Sequence, residues 1–227
     1  MTARKMRDPV NQPNIDFVES RGEIGLGLLK SREWVEDPRR LLFSLARYKF
    51  VAKLLSGRGH VLEVGCGDAF NAPVIMQEVD ALTVTDFDAE FIADALRRAQ
   101  PEYPYDAIVH NFLDGRMEGT YDAIYSLDVL EHIDAQDERR FLANIMQCLS
   151  PTGVMIIGMP SLESQTYASP GSKLGHINCK TAPDLKSLMQ EYFHTVFMFS
   201  MNDEIVHTGY HKMAHYILAV CSHPKAA

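Results

Sequence analysis

Two groups of residues in this chain have types and spacings suited to chemistry. The first is Glu63, Gly65, Cys66 and Gly67 in the run VLEVGCGDAF, followed by Asp86 at the end of DALTVTDFD. Glycines carry no Cβ, so the backbone at Gly65 and Gly67 can turn sharply and admit a ligand closely. Glu63 can accept hydrogen bonds from a ligand amine or hydroxyl. A carboxylate about 20 residues after such a turn, where Asp86 stands, can accept from both hydroxyls of a ribose. The second group is histidines: His176 in Gly175-His176-Ile177-Asn178, then His207, His211 and His215. Imidazole is the side chain best suited to take a proton near neutral pH. His176 is the first candidate base, with His207 and His211 next. A spacing of four resembles a helical metal face, but Thr208-Gly209-Tyr210 interrupts any helix there, and no zinc-ligand spacing is present. The expectation is no metal.

These residues need a frame. Val61, Leu62 and Val64 read as a buried strand feeding a glycine turn at a helix start, the nucleotide-site geometry of a doubly wound α/β sheet. The dinucleotide fingerprint itself is not met, because Phe70 stands where its third glycine belongs. Upstream, Leu41, Leu42, Leu45, Tyr48, Ala52 and Leu55 recur at helical spacing between Pro38 and Ser56. Downstream, short helices over 69–78 and 89–100 alternate with strands ending at Asp86, in YDAIVHNF and in YDAIYSLDVLEHI. An amphipathic helix over 137–149 precedes the strand GVMIIGMP. A long polar connection, SLESQTYASPGSKLGHINCK, leads to a helix over 181–192 and two closing strands, HTVFMFSM and MAHYILAVC. Strand–helix alternation at this spacing implies a mostly parallel sheet with right-handed crossovers.

The 227 residues suit one α/β domain over 38–222, with an N-terminal extension or lid over 1–37 and a short tail over 223–227. The chain is 46% hydrophobic with a net charge of -8 and no dense Lys/Arg run, which argues against a nucleic-acid partner. No apolar run reaches the roughly 18 residues of a membrane span. The start, MTARKMRDPVNQ, lacks the apolar core of a signal peptide. Cys66, Cys148, Cys179 and Cys221 are scattered, as expected of reduced thiols in a cytoplasmic protein. Association as a homodimer is left open.

Three segments in order resemble one family. Glu63-Val64-Gly65-Cys66-Gly67 is similar to motif I of the class I S-adenosylmethionine (SAM)-dependent methyltransferases, written E/D-x-G-x-G-x-G, with Ala69 at the last glycine. HNFLDG resembles the segment whose aspartate binds the adenine amine, with Asn111 in that place. YDAIYSLDVLEHI, closed by Leu149-Ser150-Pro151-Thr152-Gly153, resembles the family pattern fDlI…vLeHi…L…L.pGG. The resemblance covers roughly residues 38–222. It implies a doubly wound, seven-stranded, mostly parallel sheet in the order 3-2-1-4-5-7-6, the last strand antiparallel. It implies SAM as methyl donor and S-adenosylhomocysteine as product. Glu63, Gly65, Cys66, Gly67 and Asp86 would hold the donor, with Phe87 against adenine and Asn111 and Phe112 on the ring's polar edge. Ser126 and Leu127, with Asp128, would line the sulfonium end; Glu131 and His132 belong to the same match, or serve local capping. His176 would lie at the mouth of the acceptor site, with His207 and His211 behind it. The implied partner is a small molecule. A hydroxyl acceptor is the first reading. An amine held by Glu204 or Asp128, or a carbon acceptor, is the second, and a silent fold that binds SAM or a partner protein is the third.

Overall fold

Period-2 alternation sends neighbouring strand residues to opposite sheet faces, and the central strands show its consequence. In the computed structural model, which describes residues 4–226, Val61 packs into one buried cluster and Leu62 into another. Residues 1–3 of the expected extension and residue 227 of the expected tail lie outside that range.

In chain order the elements are α1 (Gln12–Arg21), α2 (Leu28–Glu36), α3 (Arg39–Leu55), β1 (His60–Val64), α4 (Ala72–Met76), β2 (Ala81–Asp86), α5 (Ala89–Arg98) and β3 (Asp106–Val109). Then come β4 (Tyr121–Leu127), α6 (Glu138–Met146), β5 (Leu149–Pro160), α7 (Pro170–Gly175), α8 (Ala182–Tyr192), β6 (Phe193–Asn202), β7 (Ile205–His207) and β8 (Tyr216–Pro224). The sheet runs β3-β2-β1-β4-β5-β8-β6-β7. Strands β1 to β5 pair in parallel, and β8 lies antiparallel between β5 and β6. One core layer joins Val51 and Leu55 of α3 to Val61, Ala123, Tyr125 and Leu218. The other joins Phe141, Leu142 and Ile145 of α6 and Leu185 of α8 to Leu62, Ile124, Met155 and Ile157.

Leaving β7 aside, the order is the expected one; the sheet has eight strands rather than seven. The polar segment NDEIVHTGYHK, read as a connection, folds back at Asp203, whose φ of 49° suits a two-residue hairpin turn. Asn202 then pairs with Ile205 and Ser200 with His207. The helix expected over 69–78 is confined to Ala72–Met76, and Leu149 begins β5 rather than ending α6.

The N-terminal extension carries two helices, and α2 is docked on the glycine turn. Asp68 Oδ2 accepts from the Leu29 N–H at 2.8 Å and the Lys30 N–H at 3.0 Å, while Asp94 Oδ2 accepts from the Leu28 N–H at 3.2 Å. Helix N-termini leave such N–H groups without intrahelical partners, and here two acids from the sheet domain satisfy them.

At the head of β1 the chain turns through Gly65 at φ 78°, and a Cβ built there would overlap the Val129 side chain. Both the left-handed backbone and the overlap oppose any side chain. Gly65→Ala is therefore expected to cost roughly 2–5 kcal/mol of stability, measured by denaturant unfolding. Adding Val129→Ala to that variant should recover the overlap share. Additive losses in the double variant would contradict the packing described.

Candidate active site

The first half of the site surrounds the turn after β1. Gly65 and Gly67 both hold positive φ, 78° and 54°. The Gly67 N–H donates to Asp86 Oδ2 and the Asp88 N–H to Asp86 Oδ1, each at 2.9 Å. Asp86 thus ties the turn to the end of β2. Those bonds use two of about four lone-pair positions on a carboxylate, so the group can still receive hydroxyl donors. Burial raises its carboxyl above the ordinary value. Beside it Phe87 is 75% exposed, an aromatic face open to a ligand. A Cβ on Gly67 would come within 3.3 Å of Leu29 Cδ2, so α2 forms a wall of this turn.

Several residues expected to touch the cofactor are turned inward. Glu63 is 1% exposed, and its two oxygens accept from the Tyr48 and Tyr125 hydroxyls. It joins α3, β1 and β4 beneath the turn instead of facing a ligand. Ser126 is fully buried and donates to the Val64 carbonyl at 3.0 Å, while Leu127 packs in the core. Neither side chain lines the site; period 2 points both into the layers, and Asp128 is the residue that emerges. Cys66 is buried with its thiol toward the Gly67 carbonyl, and burial pushes that thiol far above its ordinary pKa, so it is a packing group. Asn111 accepts from the Leu113 N–H at 3.0 Å, closing its own turn, and Phe112 is buried against His110 and Phe141.

The second half lies past the end of β4. Asp128, at φ 58°, receives Arg47 from α3, with Nη1 at 2.9 and 2.7 Å from its two oxygens. The Arg47 guanidinium also lies over the Tyr216 ring, 3.7 Å from its centroid, a cation–π contact. Arg47 falls between the buried Ser44 and Val51 on the inward stripe of α3. A charge on an apolar helical stripe was a signal available in the sequence. Glu131 follows on the turn Leu130–His132 and is fully buried, with both carboxylate oxygens lacking any hydrogen-bond partner among the described residues. Burial, then Asp128, hold its carboxyl well above the ordinary range.

His132 Nδ1 lies 2.8 Å from the Gly175 carbonyl and His176 Nδ1 lies 2.9 Å from Gln165 Oε1. Carbonyl oxygens only accept, so the network assigns each neutral ring its proton on Nδ1 and a lone pair on Nε2. The rings are 5.3 Å apart, and burial followed by His132 lowers the His176 pKa. Glu131, His132 and His176 each bring one ligand-type atom within 4.8 Å of the others. His215 packs its ring on Phe43 nearby.

His176 alone among the three candidate bases joins this cluster. His207 uses both ring nitrogens in its own hairpin, toward Asn202 Oδ1 and the Gly209 N–H. His211 lines a separate hollow with Pro183, Lys186 and Met198. A loop histidine that closes its own turn satisfies itself locally, which spacing in the sequence does not show.

The buried Glu63 carries a testable consequence. Its carboxyl is raised from 4.5 to about 7, chiefly by burial. The folded state then holds this proton more tightly than the unfolded state. Its contribution to stability is complete below pH 4.5 and declines as pH rises to about 7, by roughly 3 kcal/mol. Unfolding free energies measured across that window should fall more steeply for the native chain than for Glu63→Gln. Parallel profiles would contradict the burial of an ionisable group here.

Comparison with known proteins bears on the fold and the family. Residues 32–192 match the family model described as a methyltransferase domain. A probable S-adenosylmethionine-dependent methyltransferase of Mycolicibacterium smegmatis is 28% identical over 116 residues, half of this chain; the match spans 42% of that relative's length. NodS of Bradyrhizobium japonicum WM9, an N-methyltransferase solved with S-adenosylhomocysteine, superposes with a TM-score of 0.60 at 18% identity, over 82% of this chain and 87% of its own. DhpI, also solved with SAH, gives a TM-score of 0.64 at 15% identity, over 88% and 93%. Among the described residues no helix is long and apolar enough to cross a membrane. By the family match, and by the glycine turn, Asp86 and the β4 turn that the fold brings together, the chain belongs to the methyltransferase domain family of class I SAM-dependent methyltransferases.

Proposed function

We propose that this chain transfers the methyl group of SAM to a hydroxyl oxygen of a small-molecule acceptor. The residues present fit the donor: the turn at Gly65 and Gly67 is tied to Asp86, which retains lone pairs for ribose hydroxyls, and Phe87 offers an open aromatic face. SAM supplies a methyl group on a sulfonium, which departs as a neutral thioether and needs no acid. The chain's own work is alignment, which can supply up to about 7–11 kcal/mol. Asp86 and the turn fix one end of the site. The β4 turn, held by Arg47 on Asp128, fixes the other.

The observation that carries the hydroxyl reading is the pair of Nε2 lone pairs on His132 and His176, both set by hydrogen bonds at Nδ1. An alcohol must lose a proton as it is methylated, and a group placed for that contributes roughly 10²–10⁴ in rate. An amine acceptor would need a free carboxylate to hold it. Asp128 is already paired with Arg47, Glu204 sits exposed in the outer hairpin turn, and burial favours the protonated, neutral form of the Glu131 carboxyl. Partners are accordingly small molecules bearing a hydroxyl, reached through the connection that carries Gln165 and His176.

Asp86→Ala is expected to weaken SAM binding by at least about a hundredfold in isothermal titration, since hydrogen bonds to a charged group are worth roughly 1.5–3 kcal/mol each. Tight NADH binding with none of SAM would remove the family reading of this turn. A panel of hydroxyl, amine and carbon acceptors should accept labelled methyl at hydroxyls. His176→Ala should lower kcat on that acceptor by about 10²-fold with SAM affinity unchanged. Labelling confined to amines, or an unaltered kcat in the variant, would contradict the proposal.

A further inference from the structure

We propose that Glu131, His132 and His176 bind one divalent first-row transition-metal ion at the acceptor end of the site. Their ligand atoms already lie within 4.8 Å of one another. The second, independent observation is Glu131 itself: it is fully buried, and neither carboxylate oxygen has a hydrogen-bond partner among the described residues. A carboxylate buried without a partner is costly unless a cation or hydrogen bonds answer it. Arg47, a nearby cation, is committed to Asp128 and the Tyr216 face.

The surroundings have the form that metal sites use. A ligating histidine ordinarily donates its other ring N–H to a carbonyl or carboxylate, which fixes tautomer and orientation. His132 does so to Gly175 and His176 to Gln165, leaving both Nε2 atoms without a hydrogen-bond partner among the described residues. The Glu131 carbonyl also accepts from the Asn178 N–H at 3.0 Å, so the β4 turn and the 161–181 connection are stitched together at this point. Two ligands thus stand on the turn after β4 and the third arrives on the connection. Two imidazoles and one carboxylate favour manganese, iron, cobalt, nickel or zinc over magnesium and calcium. Three protein ligands leave coordination positions open, as in catalytic rather than structural sites.

The role of the ion rests on the hydroxyl reading above. Coordination lowers the pKa of a bound hydroxyl. The acceptor's proton passes to water, and its oxygen forms the new bond to the methyl carbon with its own lone pair. The carbon–sulfur bond breaks with its pair remaining on sulfur. His176 then acts as a ligand, and direct proton transfer to it is not required.

The test begins with the full chain stripped by EDTA and titrated with Co²⁺ or Zn²⁺ alone. One equivalent should bind at micromolar affinity or better, with cobalt absorption in the visible region and a raised Tm. Glu131→Gln and His176→Ala should each weaken binding by about a hundredfold or more, with SAM affinity unchanged. In the absence of metal Glu131→Gln should be about as stable as the native chain, because a neutral amide replaces a carboxyl whose ionisation burial disfavours; this keeps a folding defect apart from a lost ligand. No binding tighter than millimolar, or equal binding by both variants, would overturn the site. Cobalt bound as described while no hydroxyl compound is methylated would uphold the site and remove the hydroxyl reading. Hydroxyl methylation at full rate by EDTA-stripped protein that binds no cobalt would uphold that reading and overturn the site.

Discussion

The turn after β1 and the turn after β4 touch in this protein. Gly65 has no side chain, and Val129 occupies the space that one would fill. Gly65 ends β1 and Val129 follows β4, and these strands are neighbours at the point where the sheet order reverses. Ligand sites of doubly wound sheets lie at such a switch point. The contact fixes the turn proposed to hold the donor relative to the turn that carries Asp128, Glu131 and His132. Methyl transfer requires donor and acceptor ends in register, so this one close approach governs the alignment on which the rate depends.

Beneath that contact the site is braced from α3. Tyr48 and Tyr125 hold Glu63 below the first turn, and Arg47 holds Asp128 at the second. Above it, Asp68 accepts from the Leu29 and Lys30 N–H groups of α2, which brings Leu29 over Gly67. The N-terminal segment therefore supplies both a brace and a wall. Its residues belong to the site as much as those of the sheet do.

Much of this was legible in the sequence because it is local. The glycine turn, the acid at the end of β2 and the alternation of strands and helices are short-range patterns, and the order of the main strands came with the family resemblance that they carry. What was not legible depends on partners distant in the chain. Glu63 has the position of a ligand-binding acid, yet Tyr48 and Tyr125 converge on it from two other elements. Ser126 stands in a matching segment, but its strand parity points it at the Val64 carbonyl. His132 and His176 meet only because the 161–181 connection folds back over the β4 turn. His207 ranked next after His176 as a candidate base and instead closes its own hairpin. The mid-helix charge at Arg47 was a sign of a buried partner, but nothing local to α3 names Asp128, 81 residues away, as that partner.

The account rests on two imidazole nitrogens left bare at the acceptor end. Nitrogen-15 NMR of the histidine rings in the full, metal-free chain, at a pH where the imidazoles are neutral, reads this directly. His132 and His176, assigned by the loss of their signals in single substitutions, should both carry the proton on Nδ1 with Nε2 unprotonated. A proton on Nε2 of either ring would contradict the hydrogen bonds to Gly175 and Gln165, and with them the chemistry assigned to this site.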